Sequence, residues 1–462
     1  MSSFFPSFLI SFLLISISIS VFADTGKIGI NYGRIADDLP TPDEVASLLK
    51  TQGITRVKLY DTDTDVLKAF SDANISVTVA LPNENLTAAA SSQSFTDSWV
   101  QTRILPFYPN TNINAIAVGN EVNVNPNITS YVVPAMKNVY ASLQKYSVSD
   151  AIKISTPISF SALENSYPSS SGSFKGELLE PFIQPMLEFL KKTDSYMMVN
   201  AYPFFAYSGN SDQISLDYAL FKPNSGVVDS GNGLKYDNLF EAQLDAVYAA
   251  MDLLKFNDLK IVVTETGWPS KGDENEIGAS SPNAAAYNGN LVKRVLTGNG
   301  TPLRPNFPLD VYLFALFNEN QKPGPTSERN YGLFYPNQQK VYNIPLTAAE
   351  AAAAVAPAAN LGSKVVVPKA GQSWCVANEN ISKEKLQAGL DWACGEGQAD
   401  CRPIQPGATC YNPESLVAHA SYAFNSYYQK MARAVGTCDF GGAAYVVTQS
   451  PKFGSCKFPT SN

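Results

Sequence analysis

Short apolar segments recur eight times between residues 24 and 344, and stretches with helical spacing separate them. Several segments are continuous apolar runs, such as Ile261-Val262-Val263, as expected for strands that are buried on both faces. Between the segments, residues 43–49 and 242–247 show the spacing of an amphipathic helix. The pattern therefore predicts an α/β fold, a (β/α)8 TIM barrel, with strands at residues 27–33, 56–62, 76–82, 115–122, 153–159, 196–205, 260–269 and 310–320.

The pattern changes after residue 344. Residues 345–372 contain alanine and proline but no aromatic side chain, which predicts a linker. All six cysteines follow, at positions 375, 394, 401, 410, 438 and 456. An even number of cysteines in so short a segment indicates a small disulfide-rich α+β module over residues 373–458. Fifteen pairings of six cysteines are possible, and the spacing alone does not choose among them. The long insertions at residues 161–180 and 208–237 are expected to be loops or small subdomains.

The first 23 residues are apolar and end at Ala23, which is typical of a signal peptide cut at a small residue. The alternative is a buried or membrane-spanning helix. Asn-X-Ser/Thr triplets fit a secretory route and occur at Asn74, Asn85, Asn127, Asn299 and Asn380. The C-terminal residues are polar, so no lipid anchor is expected. We therefore expect a secreted, extracellular protein that is soluble or wall-associated, without a membrane anchor.

Charge and histidine content exclude several classes of function. The net charge is -8 and no run of lysine or arginine is present, which argues against nucleic acid or an anionic membrane as the main partner. His419 is the single histidine of the chain. A catalytic triad or a metal site built on several histidines is therefore not possible in the predicted barrel. No metal and no cofactor are expected, so catalysis must come from carboxylates, hydroxyls or lysines.

Two glutamates lie at predicted strand ends, where barrel enzymes carry their active sites. Glu121 ends the fourth apolar segment and Glu265 ends the seventh. Hydrolysis of a glycosidic bond needs one carboxylic acid to protonate the leaving oxygen and a second carboxylate to attack or to activate water. The alternative is that these glutamates are solvated or cap the following helices. From the residue pattern alone the two interpretations are about equally supported.

Five motifs in residues 24–344 resemble glycoside hydrolase family 17, the plant 1,3-β-glucanases: Ile28-Gly29-Ile30-Asn31-Tyr32-Gly33, Val118-Gly119-Asn120-Glu121, Val199-Asn200-Ala201-Tyr202-Pro203-Phe204-Phe205, Ile261-Val262-Val263-Thr264-Glu265-Thr266-Gly267-Trp268-Pro269-Ser270 and Phe317-Asn318-Glu319-Asn320-Gln321-Lys322. The resemblance implies a retaining endo-1,3-β-glucanase with Glu265 as nucleophile and Glu121 as acid/base. It also implies that Asn120 binds the sugar 2-hydroxyl. Neighbouring residues of an ideal strand point to opposite faces, so the backbone must bulge or break if Asn120 and Glu121 both reach the sugar.

Further site residues are implied by the same resemblance. Glu319, Lys322 and Glu328 match a charged cluster of the family's cleft, where they would tune the proton affinities of the catalytic pair. The alternative is a network of ion pairs on the surface, where such pairs contribute little. Candidates for sugar contact are three aromatic residues, with a place in the core as the alternative: Tyr32, Tyr202 and Phe205.

The C-terminal segment resembles carbohydrate-binding module family 43, also called the X8 domain, in motifs such as Trp374-Cys375-Val376 and Leu390-Asp391-Trp392-Ala393-Cys394-Gly395. The resemblance implies binding of 1,3-β-glucan. It also implies the disulfide pairs Cys375–Cys438, Cys394–Cys401 and Cys410–Cys456. His419 is interpreted as a structural residue, because a lone histidine has no companions for a metal site.

The sequence thus predicts a secreted, monomeric hydrolase of 1,3-β-glucan, such as callose-like or fungal wall glucan, with a glucan-anchoring module. Two alternatives remain. One is a catalytically silent wall-glucan-binding protein that keeps the barrel as a scaffold. The other is a transglycosylase, because a sugar can replace water in capturing a covalent intermediate.

Overall fold

The computed structural model describes residues 26–355, 373–378, 381–431, 433, 437–438, 440, 443–447, 450–454 and 456–460. The chain divides into two units, Met1–Val355 and Ala356–Asn462. The predicted signal peptide, residues 1–23, and residues 356–372 of the predicted linker lie outside the described residues. In the described part, no helix is long and apolar enough to cross a membrane.

Each predicted apolar segment contains or overlaps a strand of the large sheet. The large sheet contains β1 (Lys27–Asn31), β2 (Arg56–Lys58), β3 (Ser76–Leu81), β4 (Asn112–Val118), β5 (Lys153–Ser155), β6 (Pro157–Ser159), β9 (Met197–Asn200), β12 (Ile261–Thr266) and β13 (Asp310–Leu313). Two short hairpins use β7 (Leu163–Asn165), β8 (Ser173–Phe174), β10 (Val227–Val228) and β11 (Lys235–Tyr236). Every residue of β9, β12 and β13 is buried, as the continuous apolar runs predict.

The large sheet is a parallel barrel of the (β/α)8 type, as predicted. Its strand order is β5-β4-β3-β2-β1-β13-β12-β9-β6, and every neighbouring pair is parallel. The strands at the two ends of this order, β5 and β6, are consecutive in the chain, and only Thr156 separates them. The fifth predicted segment, residues 153–159, therefore supplies both, and the ring has eight positions with an interrupted fifth strand.

Helices of the first unit lie between the barrel strands and after them: α1 (Pro42–Thr51), α2 (Thr64–Ala69), α3 (Leu86–Ser91), α4 (Gln93–Arg103), α5 (Pro126–Thr129), α6 (Val132–Lys145), α7 (Gly176–Leu178), α8 (Gln184–Lys192), α9 (Pro203–Gly209), α10 (Leu216–Ala219), α11 (Leu239–Leu253), α12 (Ser281–Val295) and α13 (Ala348–Val355). The predicted helical stretches 43–49 and 242–247 lie inside α1 and α11. At the start of α1, the side chain of Thr41 and that of Glu44 form a capping box, which satisfies two backbone N–H groups that have no partner within the helix.

Small side chains fill the barrel interior. Ala80, Ala115, Ala117 and Met198 form a buried cluster with Tyr196 packed against it. Small residues suit β4 because inward-pointing side chains from all strands share a narrow space. The interior is therefore a packed core rather than a channel, and the accessible cavity lies at the strand ends.

The two predicted insertions contain the short antiparallel hairpins and are joined to each other. Asp229 accepts hydrogen bonds from the backbone N–H and the hydroxyl of Ser170, at 2.7 and 2.6 Å. Ser169 donates to the carbonyl of Ala242 in α11, at 2.8 Å. The insertions are thus fixed against the helix that precedes β12.

The second unit contains β14 (Trp374–Ala377), β15 (Ala444–Val447), α14 (Lys383–Cys394) and α15 (Leu416–Lys430). The two strands pair antiparallel, and a separate buried cluster lies among these elements. Disulfide bonds join the pairs that the resemblance implies: Cys375–Cys438, Cys394–Cys401 and Cys410–Cys456. His419 has its Nε2 at 2.8 Å from the carbonyl oxygen of Tyr411 and packs on the ring of Tyr411, which agrees with a structural role.

Candidate active site

A cavity of about 1110 Å³ lies at the carboxyl ends of the barrel strands. Most of its lining residues lie at or just after the ends of β1, β2, β4, β6, β9 and β12 or in the segment that follows β13, and Gln243 reaches it from α11. All nine residues that were singled out in the first unit line this cavity, although up to 296 positions of sequence separate them: Tyr32, Asn120, Glu121, Tyr202, Phe205, Glu265, Glu319, Lys322 and Glu328. The fold therefore brings the proposed catalytic, supporting and aromatic residues to one place.

The backbone breaks at the end of β4. The prediction that this strand reaches residue 122 is wrong, because β4 ends at Val118. Gly119 follows with φ +73° and Glu121 has φ +51°, both in the left-handed region. The alternation of strand faces stops there, so Asn120 and Glu121 both line the cavity. Asn83 fixes this turn, since its Oδ1 accepts from Asn120 N at 2.8 Å and its Nδ2 donates to Asn120 O at 3.0 Å.

Glu121 lies in surroundings that favour the protonated carboxylic acid. Burial, followed by the negative charge of Glu265, raises the pKa of Glu121 above its usual value. The amide of Asn200 donates to Glu121 Oε1 at 3.0 Å and orients the carboxyl group. Thr264 donates in turn to Asn200 Oδ1 at 2.8 Å, which fixes the amide. Glu121 is therefore suited to give a proton.

Glu265 lies in surroundings that favour the carboxylate. Burial is the largest influence and raises its pKa, but Lys58, with smaller contributions from Tyr60 and Lys322, outweighs burial, so the pKa of Glu265 lies below its usual value. Lys58 Nζ stands 3.0 Å from Glu265 Oε1, and the hydroxyl of Tyr202 donates to Glu265 Oε2 at 3.0 Å. Both carboxylate oxygens are thus held, and the group is suited to attack.

Lys58 is the principal residue that the sequence analysis missed. Its side chain is 1% exposed, and its ammonium group also lies 3.4 Å from Asn120 Oδ1 and 4.0 Å from the ring centroid of Tyr60. A lysine inside an apolar run that predicts a buried strand, Val57-Lys58-Leu59, is the signal that could have found it, because lysine is almost never fully buried without a partner. Asn200, at the end of β9, was missed as well.

The charged cluster on the cavity wall is partly buried. Lys322 and Glu328 form an ion pair at 3.0 Å with side chains that are 21% and 25% exposed. Glu319 is almost fully buried and accepts from the backbone N–H of Ile35 at 2.8 Å. Lys322 Nζ also lies 4.1 Å from the ring centroid of Phe314. The cluster therefore borders the cavity, and the interpretation as an ordinary surface network is less well supported.

The three candidate aromatic residues differ in exposure. Phe205 is 49% exposed on the cavity wall and packs on Tyr202, which is half-buried. Tyr32 is only 2% exposed and packs edge-on against Phe317. Phe205 and Tyr202 can therefore offer aromatic surface to a sugar, whereas Tyr32 is mainly a core residue.

The polar groups of the site include carboxylates, amides and the ammonium groups of Lys58 and Lys322. Within the described residues, no group of three His, Cys, Asp or Glu side chains could hold a metal ion. Two neighbouring carboxyl groups with pKa values displaced in opposite directions are the arrangement that separates an acid from a nucleophile in one site.

The model of the glycosyl hydrolases family 17 matches residues 28–346. The chain belongs to this family. The X8 domain model matches residues 373–445. Relatives of this family 17 protein include glucan endo-1,3-beta-glucosidase 13 of Arabidopsis thaliana, which is 44% identical over 94% of this chain and 86% of the relative. Glucan endo-1,3-beta-D-glucosidase of Olea europaea is 39% identical over 94% of each chain.

Two solved structures resemble the family 17 chain with substantial sequence identity. CJP38, a beta-1,3-glucanase and allergen of Cryptomeria japonica pollen, is 42% identical with a TM-score of 0.67, over 70% of this chain and 99% of that one. A plant beta-glucan endohydrolase is 38% identical with a TM-score of 0.64, over 69% of this chain and all of that one. The chain is accordingly a glycoside hydrolase with an appended X8 domain.

Proposed function

We propose that this protein hydrolyses internal bonds of 1,3-β-glucan with retention of configuration, using Glu265 as nucleophile and Glu121 as acid/base. The observation that carries the proposal is the pair of glutamates in one cavity, Glu265 buried and Glu121 partly buried, with pKa values displaced in opposite directions. The choice of 1,3-β-glucan draws on the activity named for the relatives.

The first step forms a covalent glycosyl-enzyme. Glu121 gives its proton to the glycosidic oxygen, Glu265 attacks the anomeric carbon, and the bond to the leaving sugar breaks. In the second step Glu121, now a carboxylate, takes a proton from water. The water oxygen attacks the anomeric carbon and releases Glu265. Asn120 is proposed to bind the 2-hydroxyl near the transition state, and its side chain is already held by Lys58.

The partly buried charged cluster is proposed to adjust the proton affinities of the pair. Glu319, Lys322 and Glu328 belong to the segment that follows β13 and line the cavity wall. The charge of Lys322 lowers the pKa of both Glu121 and Glu265. Tyr202 and Phe205 are proposed to stack on sugar rings, with Tyr32 as a buried support.

The proposal is tested by following product sizes over time on linear 1,3-β-glucan, beside mixed-linkage glucan and cellulose. We expect early accumulation of shortened oligosaccharides from the 1,3-linked substrate. A protein that binds the glucan but releases no product would be the silent binding protein. Elongated chains as the main products would make it a transglycosylase.

Retention of configuration gives a stereochemical prediction. A retaining enzyme forms its product through two inversions, so the first-formed reducing sugar is expected to be the β-anomer. Proton NMR of the anomeric signals, recorded before mutarotation, measures this directly. Initial α-anomer would mean that water attacks in a single step and that Glu265 acts as a base.

We also propose that the chain is secreted and that residues 373–458 anchor it to insoluble glucan. The apolar leader at residues 1–23 and the clustered cysteines support secretion. The X8 match and the independent core of the second unit support a separate anchor. The domain limits are proposed as 24–344 for the barrel and 345–372 for the linker.

Truncation after Asn360 tests the anchor. We expect activity on soluble oligosaccharides to stay within about twofold, and activity on insoluble glucan to fall at least about tenfold, because tethering raises local substrate concentration only at a surface. Reductant should mimic the truncation, since the cysteines all lie in the second unit and each disulfide contributes a few kcal/mol. Equal losses on both substrates would place the module in the catalytic cleft instead.

A further inference from the structure

Gln243 is a buried polar residue that the mechanism above does not use. It lies on α11, is 6% exposed, and lines the cavity. No hydrogen-bond partner reaches its Oε1 among the described residues. Buried polar side chains are nearly always hydrogen-bonded, so an unpartnered amide oxygen at a cavity wall points to a ligand group.

The chain around Gln243 is held firmly. Asn238 caps α11 by accepting from Glu241 N at 2.9 Å, and Ala242 O accepts from Ser169 at 2.8 Å. Asp245 accepts from the backbone N–H of Leu303 at 2.8 Å. The amide of Gln243 is therefore presented on a rigid element rather than on a loop that could turn it away.

Gln243 belongs to one end of the cavity. Two groups of residues line the wall together with Gln243. One is Ala206, on α9, and the other is Ser159, Phe160 and Ser161, at the end of β6 and just after it. Around the barrel, the β5/β6 position is four strands away from β1 in either direction, so the two positions face each other. The Gln243 end of the cavity therefore lies opposite Arg34, which follows β1. The proposed catalytic pair lies between the two ends.

The leaving sugar belongs at the Gln243 end. The leaving oxygen must contact Glu121, whose carboxyl group is drawn toward β9 by the hydrogen bond from Asn200. Glu265 is bound through one oxygen by Lys58, on β2, and through the other by Tyr202, which follows β9. The leaving part of the glucan therefore starts at Glu121, which follows β4. The next position in the ring is β5/β6, whose end carries Ser159, Phe160 and Ser161 of the wall described above.

We propose that Gln243 is a specificity-determining residue that hydrogen-bonds a hydroxyl of the leaving part of the glucan. This inference rests on the proposed function. The amide oxygen accepts from a sugar hydroxyl and the amide nitrogen can donate to one, which suits a polyhydroxylated chain. Sites built to bond a substrate hydroxyl lose rate when that bond is removed, because the partner group is then left unpaired.

The test compares Gln243→Leu with the parent on two substrates. Unsubstituted 1,3-β-gluco-oligosaccharides have a sugar as leaving group, whereas aryl 1,3-β-oligoglucosides that release only the aryl alcohol do not. We expect kcat/KM to fall about tenfold on the first and to stay within about twofold on the second. Thermal stability should be unchanged or higher, because leucine has a similar volume and removes a buried unpaired amide.

Gln144→Leu, at an exposed position on α6, is the matched control and should change neither substrate. Equal losses of the Gln243 variant on both substrates, or no loss on either, would overturn the inference. A clear drop in thermal stability would assign Gln243 a structural role and would overturn it too. If the parent cleaves neither substrate, the proposed function itself has failed, and the inference falls with it.

Discussion

Replacing Glu265 by glutamine is expected to lower kcat on 1,3-β-glucan by at least about 10⁴-fold. The amide keeps the shape of the side chain but cannot form the ester bond of the glycosyl-enzyme. The glutamine oxygen can still accept the hydrogen bond from Lys58, but the buried ammonium group of Lys58 would no longer face a negative charge. Some loss of thermal stability is therefore expected as well. Glu188→Gln, at an exposed position of α8, serves as the control for handling and expression. Near-parental hydrolysis by the Glu265 variant would place the nucleophile elsewhere.

Azide can separate the roles of the two glutamates. With an aryl β-glucoside, Glu265→Ala leaves room for azide to displace the aryl alcohol directly, which inverts the centre and gives the α-glycosyl azide. Glu121→Ala still forms the glycosyl-enzyme, because an aryl leaving group needs little protonation, and azide then attacks the intermediate to give the β-azide. The reverse assignment of products would exchange the proposed roles.

Replacing Lys58 by methionine is expected to lower kcat about 10²-fold and to move the acid limb of the pH profile to higher pH. The nucleophile must be ionised, and Lys58 holds the pKa of Glu265 below its usual value. Without the positive charge the pKa of Glu265 rises, so a smaller fraction is ionised at low pH. The apparent pKa of the alkaline limb, which reports deprotonation of Glu121, should rise less. The pH dependence of kcat/KM measures both limbs.

The stability of the same variants gives an independent check. Lys58→Met leaves Glu265 buried without a counter-charge, which costs about 3–5 kcal/mol in comparable buried pairs. The double variant with Glu265→Gln removes both charges and should recover most of that loss. Lys322→Met removes a more exposed charge and should shift the acid limb less, since solvent screens it. An unchanged acid limb in Lys58→Met would mean that Lys58 has only a structural role.

The sequence by itself determined the barrel, because strands buried on both faces and amphipathic helices leave local signatures. It also indicated Glu121 and Glu265, since the carboxyl ends of barrel strands converge at one face. The sequence did not determine where each strand ends. The left-handed backbone at Gly119 and Glu121 ends β4 at Val118. In the sequence, the only indication of this break was that Asn120 and Glu121 cannot both reach the sugar from a regular strand.

Only the tertiary structure decided how the two glutamates differ. The pair Lys58–Glu265 joins residues 207 positions apart, and the bond from Asn200 to Glu121 spans 79 positions. A pKa depends on burial and on every nearby charge, and these are sums over neighbours in space that sequence order does not reveal. For the same reason the sequence did not indicate Gln243, which has the pattern of an ordinary helix residue and is placed at the cavity wall only by the fold.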